Sequence, residues 1–141
     1  MKSAFLAFAA TMILGFAASA ETPYSRECRI AGGIHWDVSI QTEFDTPLCL
    51  FGSAAIGAAD FAQYKWGNGL SYSLNTFESQ TTPRDPSGVC DAFGAAYWTA
   101  TDTNGTQWEL CKFLDDSVIE LKTLAGGVND PANAKLVHAL Q

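Results

Sequence analysis

The chain has 141 residues, 48% of them hydrophobic, with 8 Lys+Arg against 15 Asp+Glu and a formal net charge of −7. That balance argues against nucleic acid, whose phosphates demand Lys/Arg clusters, and against docking on anionic lipid. The length fits one domain or two very small ones.

Lys2, a stretch over residues 4–18 that is apolar apart from Thr11 and Gly15, and Ala18-Ser19-Ala20 before Glu21 read as a secretory signal peptide spanning 1–20. The stretch is short for a membrane anchor and has no basic stop after it, so no membrane insertion is expected. Cleavage there leaves 121 residues with a charge of −8, destined for the periplasm or the extracellular space. All four cysteines, Cys28, Cys49, Cys90 and Cys111, lie in this part. An even count in an exported chain reads as two disulfides, whereas zinc would want close Cys/His pairs; no metal and no cofactor are expected.

Thr22-Pro23 looks like an N-cap with Pro at the first helical position, opening a short helix that carries Cys28 and stops at Gly32-Gly33. Residues 34–41 alternate as a half-buried strand, 43–47 make a turn, and 47–51 return as a second strand. A weaker helix follows over 58–66. Residues 67–88 are rich in Gly, Asn, Ser, Thr and Pro and read as a surface connection, with Leu70-Ser71-Tyr72-Ser73-Leu74 as a short strand inside it. The same order then returns: Asp85-Pro86 opens a helix with Cys90 that stops near Gly94, strands run over 96–101 and 107–113 around the turn Asp102-Thr103-Asn104-Gly105, and a weak helix covers 117–124. Asp130-Pro131 starts a last helix with the apolar stripe Ala132, Leu136, Val137 and Leu140.

This recurrence has a fixed offset. Aligned 62 positions apart, residues 28–51 and 90–113 share six identities, namely Cys28/Cys90, Gly32/Gly94, Trp36/Trp98, Leu48/Leu110, Cys49/Cys111 and Phe51/Phe113. His35 faces Tyr97. The pattern reads as a tandem duplication. The expected fold is α+β: two tandem helix–β-hairpin–helix modules over 21–69 and 85–127, a linker over 70–84 and a C-terminal helix within 128–141. The hairpins are expected to pair into an antiparallel sheet with helices on one face. Four cysteines allow three connectivities; the repeat favours Cys28–Cys49 and Cys90–Cys111, since a duplicated module would carry its own staple.

In the first copy Cys28-Arg29-Ile30-Ala31-Gly32-Gly33, then Cys49-Leu50-Phe51, then Asp60-Phe61-Ala62-Gln63-Tyr64-Lys65-Trp66-Gly67 resembles the small exported bacterial domain called domain of unknown function 333, whose members carry a haemolysin label. The resemblance covers roughly 45 residues, and the second copy matches more loosely. No basic amphipathic helix or long alternating strand offers a pore.

Chemistry is sparse. The cysteines are expected to be oxidised, no G-x-S-x-G elbow or phosphate loop occurs, and His35 and His138 are scattered. His35 reads as a structural ring, Asp115-Asp116 as a solvated turn and Asn104-Gly105-Thr106 as the hairpin turn. Aromatic residues remain. The candidate binding residues are Tyr64, Lys65 and Trp66, ahead of Gly67-Asn68-Gly69, and Trp108, which like Trp66 has no counterpart in the repeat. The expectation is a non-catalytic interaction module, catalytic residues none, that holds a protein or envelope component. The alternative is an inhibitor of a peptidase or other hydrolase presenting 67–88 or 43–47 as a stiff loop.

Overall fold

The computed structural model describes residues 21–40 and 44–141; the expected signal peptide lies outside them, as do residue 41 of the expected first strand and residue 43 of the expected turn. Helix α1 (Pro23–Ile30) begins where expected: Thr22 Oγ1 accepts a bond from Ser25 N and Pro23 fills the first turn. It stops at Gly32, whose φ of 92° suits a residue without Cβ, while Gly33 N donates to Cys28 O. Gly33 is needed for a different reason. A Cβ there would sit 2.7 Å from Cys49 Sγ and 2.9 Å from the Phe51 ring, because the backbone lies directly on the first disulfide. Gly33→Ala is therefore expected to cost about 1–3 kcal/mol in urea unfolding.

Strands β1 (Ile34–Trp36) and β2 (Val38–Ile40) are separated by Asp37 alone, and β3 (Phe44–Asp45) and β4 (Leu48–Phe51) by two residues. Together they form one bent hairpin of constant register, with Ile34 opposite Leu50, Trp36 opposite Leu48 and Ser39 opposite Asp45. Strand β5 (Ala54–Gly57) adds to β4 and runs into α2 (Ala58–Lys65). After α3 (Tyr72–Ser79) and α4 (Val89–Ala92) comes the second hairpin, β6 (Ala96–Asp102) and β7 (Gln107–Lys112), then β8 (Val118–Glu120) and α5 (Leu121–Gly126). A 3₁₀ turn, Pro131–Asn133, leads into α6 (Ala134–Leu140).

The eight strands make one antiparallel sheet in the order β1-β4-β5-β8-β7-β6-β2-β3. Since β1 and β2 are one bent chain paired to β4 at one end and to β6 near the other, the sheet curls into a near-closed barrel. Alternation along the strands sorts side chains into two clusters. Val38, Ile40, Leu48, Ala55, Ala100, Leu110 and Val118, with Trp36, Leu50, Trp98 and Trp108 against them, fill the barrel. Cys49, Phe51, Ala54, Ile56, Cys111, Phe113 and Ile119 point outward under the helices and meet Phe61, Leu74, Phe77, Leu124 and Leu136, all fully buried. The disulfides join Cys28 to Cys49 and Cys90 to Cys111, as the repeat favours, pinning α1 to β4 and α4 to β7.

Several sequence expectations need correction. The sheet is not four strands from two hairpins. Ala54–Gly57 forms a third strand in the first half, buried at all four positions, and Val118–Glu120 does so in the second, where a helix from 117 was expected. Asp85 does not cap α4: its Oδ1 accepts from Ser87 N in a turn, and the helix starts only at Val89. Residues 70–74 are not a strand. Tyr72–Ser79 is a helix with Leu74 and Phe77 at 0% exposure, set within the stretch read as a linker. Its first amides are satisfied from outside its own sequence: Tyr72 N donates to Asp115 Oδ2 and Ser73 N to Ser117 Oγ, while Leu74 N donates to Ser71 Oγ. Residues 67–88 therefore do not form one free loop, and the 43–47 turn holds β3 instead.

Across the two halves the pairing is symmetric under exchange of residues 62 apart: Val38 faces Asp102 and Ile40 faces Ala100, with Ser39 facing Thr101 between them. At the other seam Ile56 faces Ile119, and each of these is the partner of its own half's second cysteine.

Candidate binding groove

The four residues singled out by sequence do not converge. Tyr64 is half-buried against the helical core and lines a small cavity with Phe77, Val128, Val137 and Leu140. Lys65 Nζ donates to Ala139 O at 2.9 Å, tying α2 to α6. Trp66 is 43% exposed, but its Nε1 donates to Glu27 Oε1 at 2.9 Å and its ring lies 5.7 Å from that of Tyr24 on α1. It is a clamp between α1 and the end of α2 as much as a surface. Trp108 belongs elsewhere, at the mouth of the barrel.

At that mouth, residues 62 positions apart differ sharply in chemistry. The residues 62 positions before Asp102 and Trp108 are Ile40 and Thr46. In their place stand a carboxylate and an indole, joined to Trp36, whose counterpart 62 positions on is Trp98. Asp102 Oδ2 accepts from both Trp36 Nε1 and Trp108 Nε1 at 3.0 Å, while Oδ1 accepts from Asn104 N and Thr106 N at 2.9 Å and closes the hairpin turn. The bonds from Trp108 and Trp36 hold the Asp102 carboxyl down at about 2, and those from the turn amides help. Asp102 is thus a fixed anion that sets the rotamers of two indoles. Asp102→Ala removes an acceptor from both rings and from the turn. It is expected to lower the urea midpoint and shift tryptophan emission to the red. Because the folded carboxyl titrates near 2 rather than at its ordinary value of 3.8, its contribution persists above pH 4 and fades as pH falls toward 2.

Beside Trp108 lies a groove of about 410 Å³ lined by Ser53, Trp108, Glu120, Lys122, Thr123, Asp130, Ala132 and Asn133. It runs between the β4–β5 turn, the start of α5 and the segment before α6. Much of its polarity is already spent. Glu120 caps α5, its Oε2 accepting from Lys122 N and its Oε1 from Thr123 N and Thr123 Oγ1. Thr123 Oγ1 accepts from Ala55 N, and Asp130 Oδ1 from Ala132 N. Asn133, only 2% exposed, donates from Nδ2 to both Thr123 O and Gly127 O, which fixes its amide orientation. Unspent capacity remains at the Lys122 ammonium, the Ser53 hydroxyl, with one 3.4 Å bond to Ala132 O, and Asn133 Oδ1. Apart from Trp108, no sequence signal marked these residues as binding residues; Asp130 and Ala132 were read only as parts of the last helix. They come from three separate segments and meet only because the chain end folds back onto the barrel.

A second cleft of about 500 Å³ is lined by Asp37, Ser39, Asp45, Thr101, Asp102 and Thr103. His35 Nε2 sits 3.0 Å from Asp37 Oδ1, and among the described residues no hydroxyl or thiol bonds to either. Asp115 is an exposed turn residue, as expected, and its Oδ2 also accepts from Tyr72 N at the start of α3. Burial pushes its carboxyl up, but bonds from Ser117 and Tyr72 outweigh this and leave it lowered. Among the described residues no group of three or more His, Cys, Asp and Glu is placed to hold a metal ion, and no helix is long and apolar enough to cross a membrane. Comparison with protein-family models, curated proteins and solved structures finds no match.

Proposed function

We propose that the protein is an exported, non-catalytic binding module, built from two copies of one domain of the type called domain of unknown function 333, that holds its target at the groove beside Trp108. The single observation carrying this reading is the groove itself: a concave, mixed polar and aromatic surface on a barrel stapled by two disulfides, its walls fixed by hydrogen bonds before any ligand arrives. The duplication is supported by the exchange-symmetric registers. It is supported again by a reciprocal pair of bonds across the β5–β8 seam, Val118 N donating to Asp60 Oδ2 and Ala55 N donating to Thr123 Oγ1, which relate residues 63 apart. The paired disulfides suit an oxidising compartment, periplasmic or extracellular.

The test is capture. Residues 21–141 in oxidised form are immobilised and exposed to periplasmic and envelope extract beside a Ser53→Trp variant that fills the groove. A species retained by the native protein and lost from the variant is the expected result. Retention that the variant leaves unchanged overturns the groove as the site. A hydrolase retained and inhibited moves the reading to the alternative, a secreted inhibitor.

A further inference from the structure

We infer that the groove beside Trp108 takes an uncharged saccharide, a ligand class that rests on the binding-module reading above. The argument starts from what the groove has left to offer. Three of its four carboxylate oxygens accept backbone amides, both of Glu120 and Oδ1 of Asp130, while Asp130 Oδ2 packs onto Gly126 and accepts no bond among the described residues. A cation would have to settle beside the Lys122 ammonium on the same wall. An anion has only Lys122 to meet, with Glu120 and Asp130 alongside to repel it.

The uncommitted groups are of both kinds and close together. Lys122 supplies donors and forms no ion pair among the described residues. Ser53 supplies a hydroxyl held by one long bond. Asn133 supplies an acceptor: Nδ2 is used twice, Oδ1 accepts nothing among the described residues, and it is not sealed from solvent. Donors and acceptors set side by side, with the Lys122 charge offset by Glu120 and Asp130 on the same walls, match hydroxyl groups, which both donate and accept. Trp108 adds an indole wall whose angle is set by its bond to Asp102, and the C–H face of a pyranose packs on such a ring. The volume, about 410 Å³, falls within the range of small-ligand sites, ~300–1,000 Å³. A hydroxyl-rich ligand also meets the cost of burying Asn133 Oδ1, since it can donate to that oxygen.

The test uses residues 21–141 with both disulfides intact and four probes: tetramers of β-1,4-glucose and of β-1,4-linked N-acetylglucosamine, a tetragalacturonate as the anionic control and trilysine as the cationic one. Amide and indole chemical shifts are followed by NMR during titration. The expected result is saturable movement of the Ser53, Lys122 and Asn133 amides and the Trp108 indole N–H with at least one neutral tetramer. Lys122→Ala should weaken that binding roughly fivefold, as one hydrogen bond would, and Ser53→Trp should abolish it with the thermal midpoint retained. Trp66→Ala should leave it unchanged. The proposal is overturned if neither neutral tetramer shifts these signals at millimolar concentration, if the charged probes bind there instead, or if the saccharide moves Tyr24 and Trp66 rather than the groove. Groove-dependent capture of another species together with silent tetramers would sink the saccharide assignment and leave the binding module standing. Capture indifferent to Ser53→Trp would sink both.

Discussion

With Cys90 and Cys111 both replaced by Ala, the protein should lose about 3 kcal/mol of stability, read as a drop in urea midpoint, and the Cys28/Cys49 pair should cost a similar amount. Each bridge spans 21 positions, and closing a loop of that length in the unfolded chain is worth about 3 kcal/mol in the chain-entropy description. The two losses should differ in kind. Helix α4 is four residues long, too short to hold itself, and its N-cap is Gly88 without a side-chain bond. Losing its staple should release it before the barrel opens, visible as early hydrogen exchange over 89–92. Helix α1 has eight residues, a Thr22 cap and a packed neighbour in α2, so the first bridge should cost stability without releasing α1 separately. Removing both bridges takes about 6 kcal/mol from a domain whose class rarely exceeds 5–15, leaving the fully reduced protein near its unfolding threshold. Equal midpoints for oxidised and reduced protein would contradict this.

The disulfide map was legible from the equal Cys spacing, with Gly32/Gly94 and Trp36/Trp98 between, which placed each helix on its own hairpin. The helix start at Thr22-Pro23 was legible for a local reason, a hydroxyl three residues before the amide it caps. What escaped was structure decided by distant partners. Leu70-Ser71-Tyr72-Ser73-Leu74 alternates with the period of a strand, yet it starts a helix, because Asp115 and Ser117 reach in from the β7–β8 turn to cap it. Ala54–Gly57 has neither alternation nor β-branched residues beyond Ile56. It is a strand because both of its faces are covered, by the barrel interior at Ala55 and by helices at Ala54 and Ile56. Trp108 stood out as an unmatched aromatic residue and does line the groove. Asn133, Thr123 and Ser53 carry no local signature, and their meeting depends on the chain end docking across the barrel mouth. Tyr64, Lys65 and Trp66 looked like a patch in sequence, but in the fold they point to three different partners.

Asp60 is expected to make the protein less stable as pH rises from 4 to 7. Its carboxyl sits in the first turn of α2, pressed against Gly57, with Oδ2 accepting from Val118 N. Burial raises its pKa to about 7; the Val118 bond opposes the rise, and the charge on Asp115 adds to it. The folded state therefore keeps a proton that the unfolded chain releases near 3.8. Stability from this group is full below pH 4, declines through the window between 4 and 7, and is flat above it. A rise of roughly 3 pH units bounds the effect at about 4 kcal/mol, with solvent access reducing it. The second half offers the comparison: the residue 63 positions on, Thr123, makes the reciprocal bond to Ala55 N with a neutral hydroxyl and bears no such cost. Asp60→Asn keeps an acceptor for Val118 N and cannot ionise. It should match the native protein at pH 4 and exceed it by 1–4 kcal/mol at pH 8, roughly, in urea unfolding. Taking the difference between the two proteins at each pH cancels every other titrating group. Parallel stability curves from pH 4 to 8 would mean that Asp60 ionises without penalty, and that water reaches its carboxyl through the seam between the two halves.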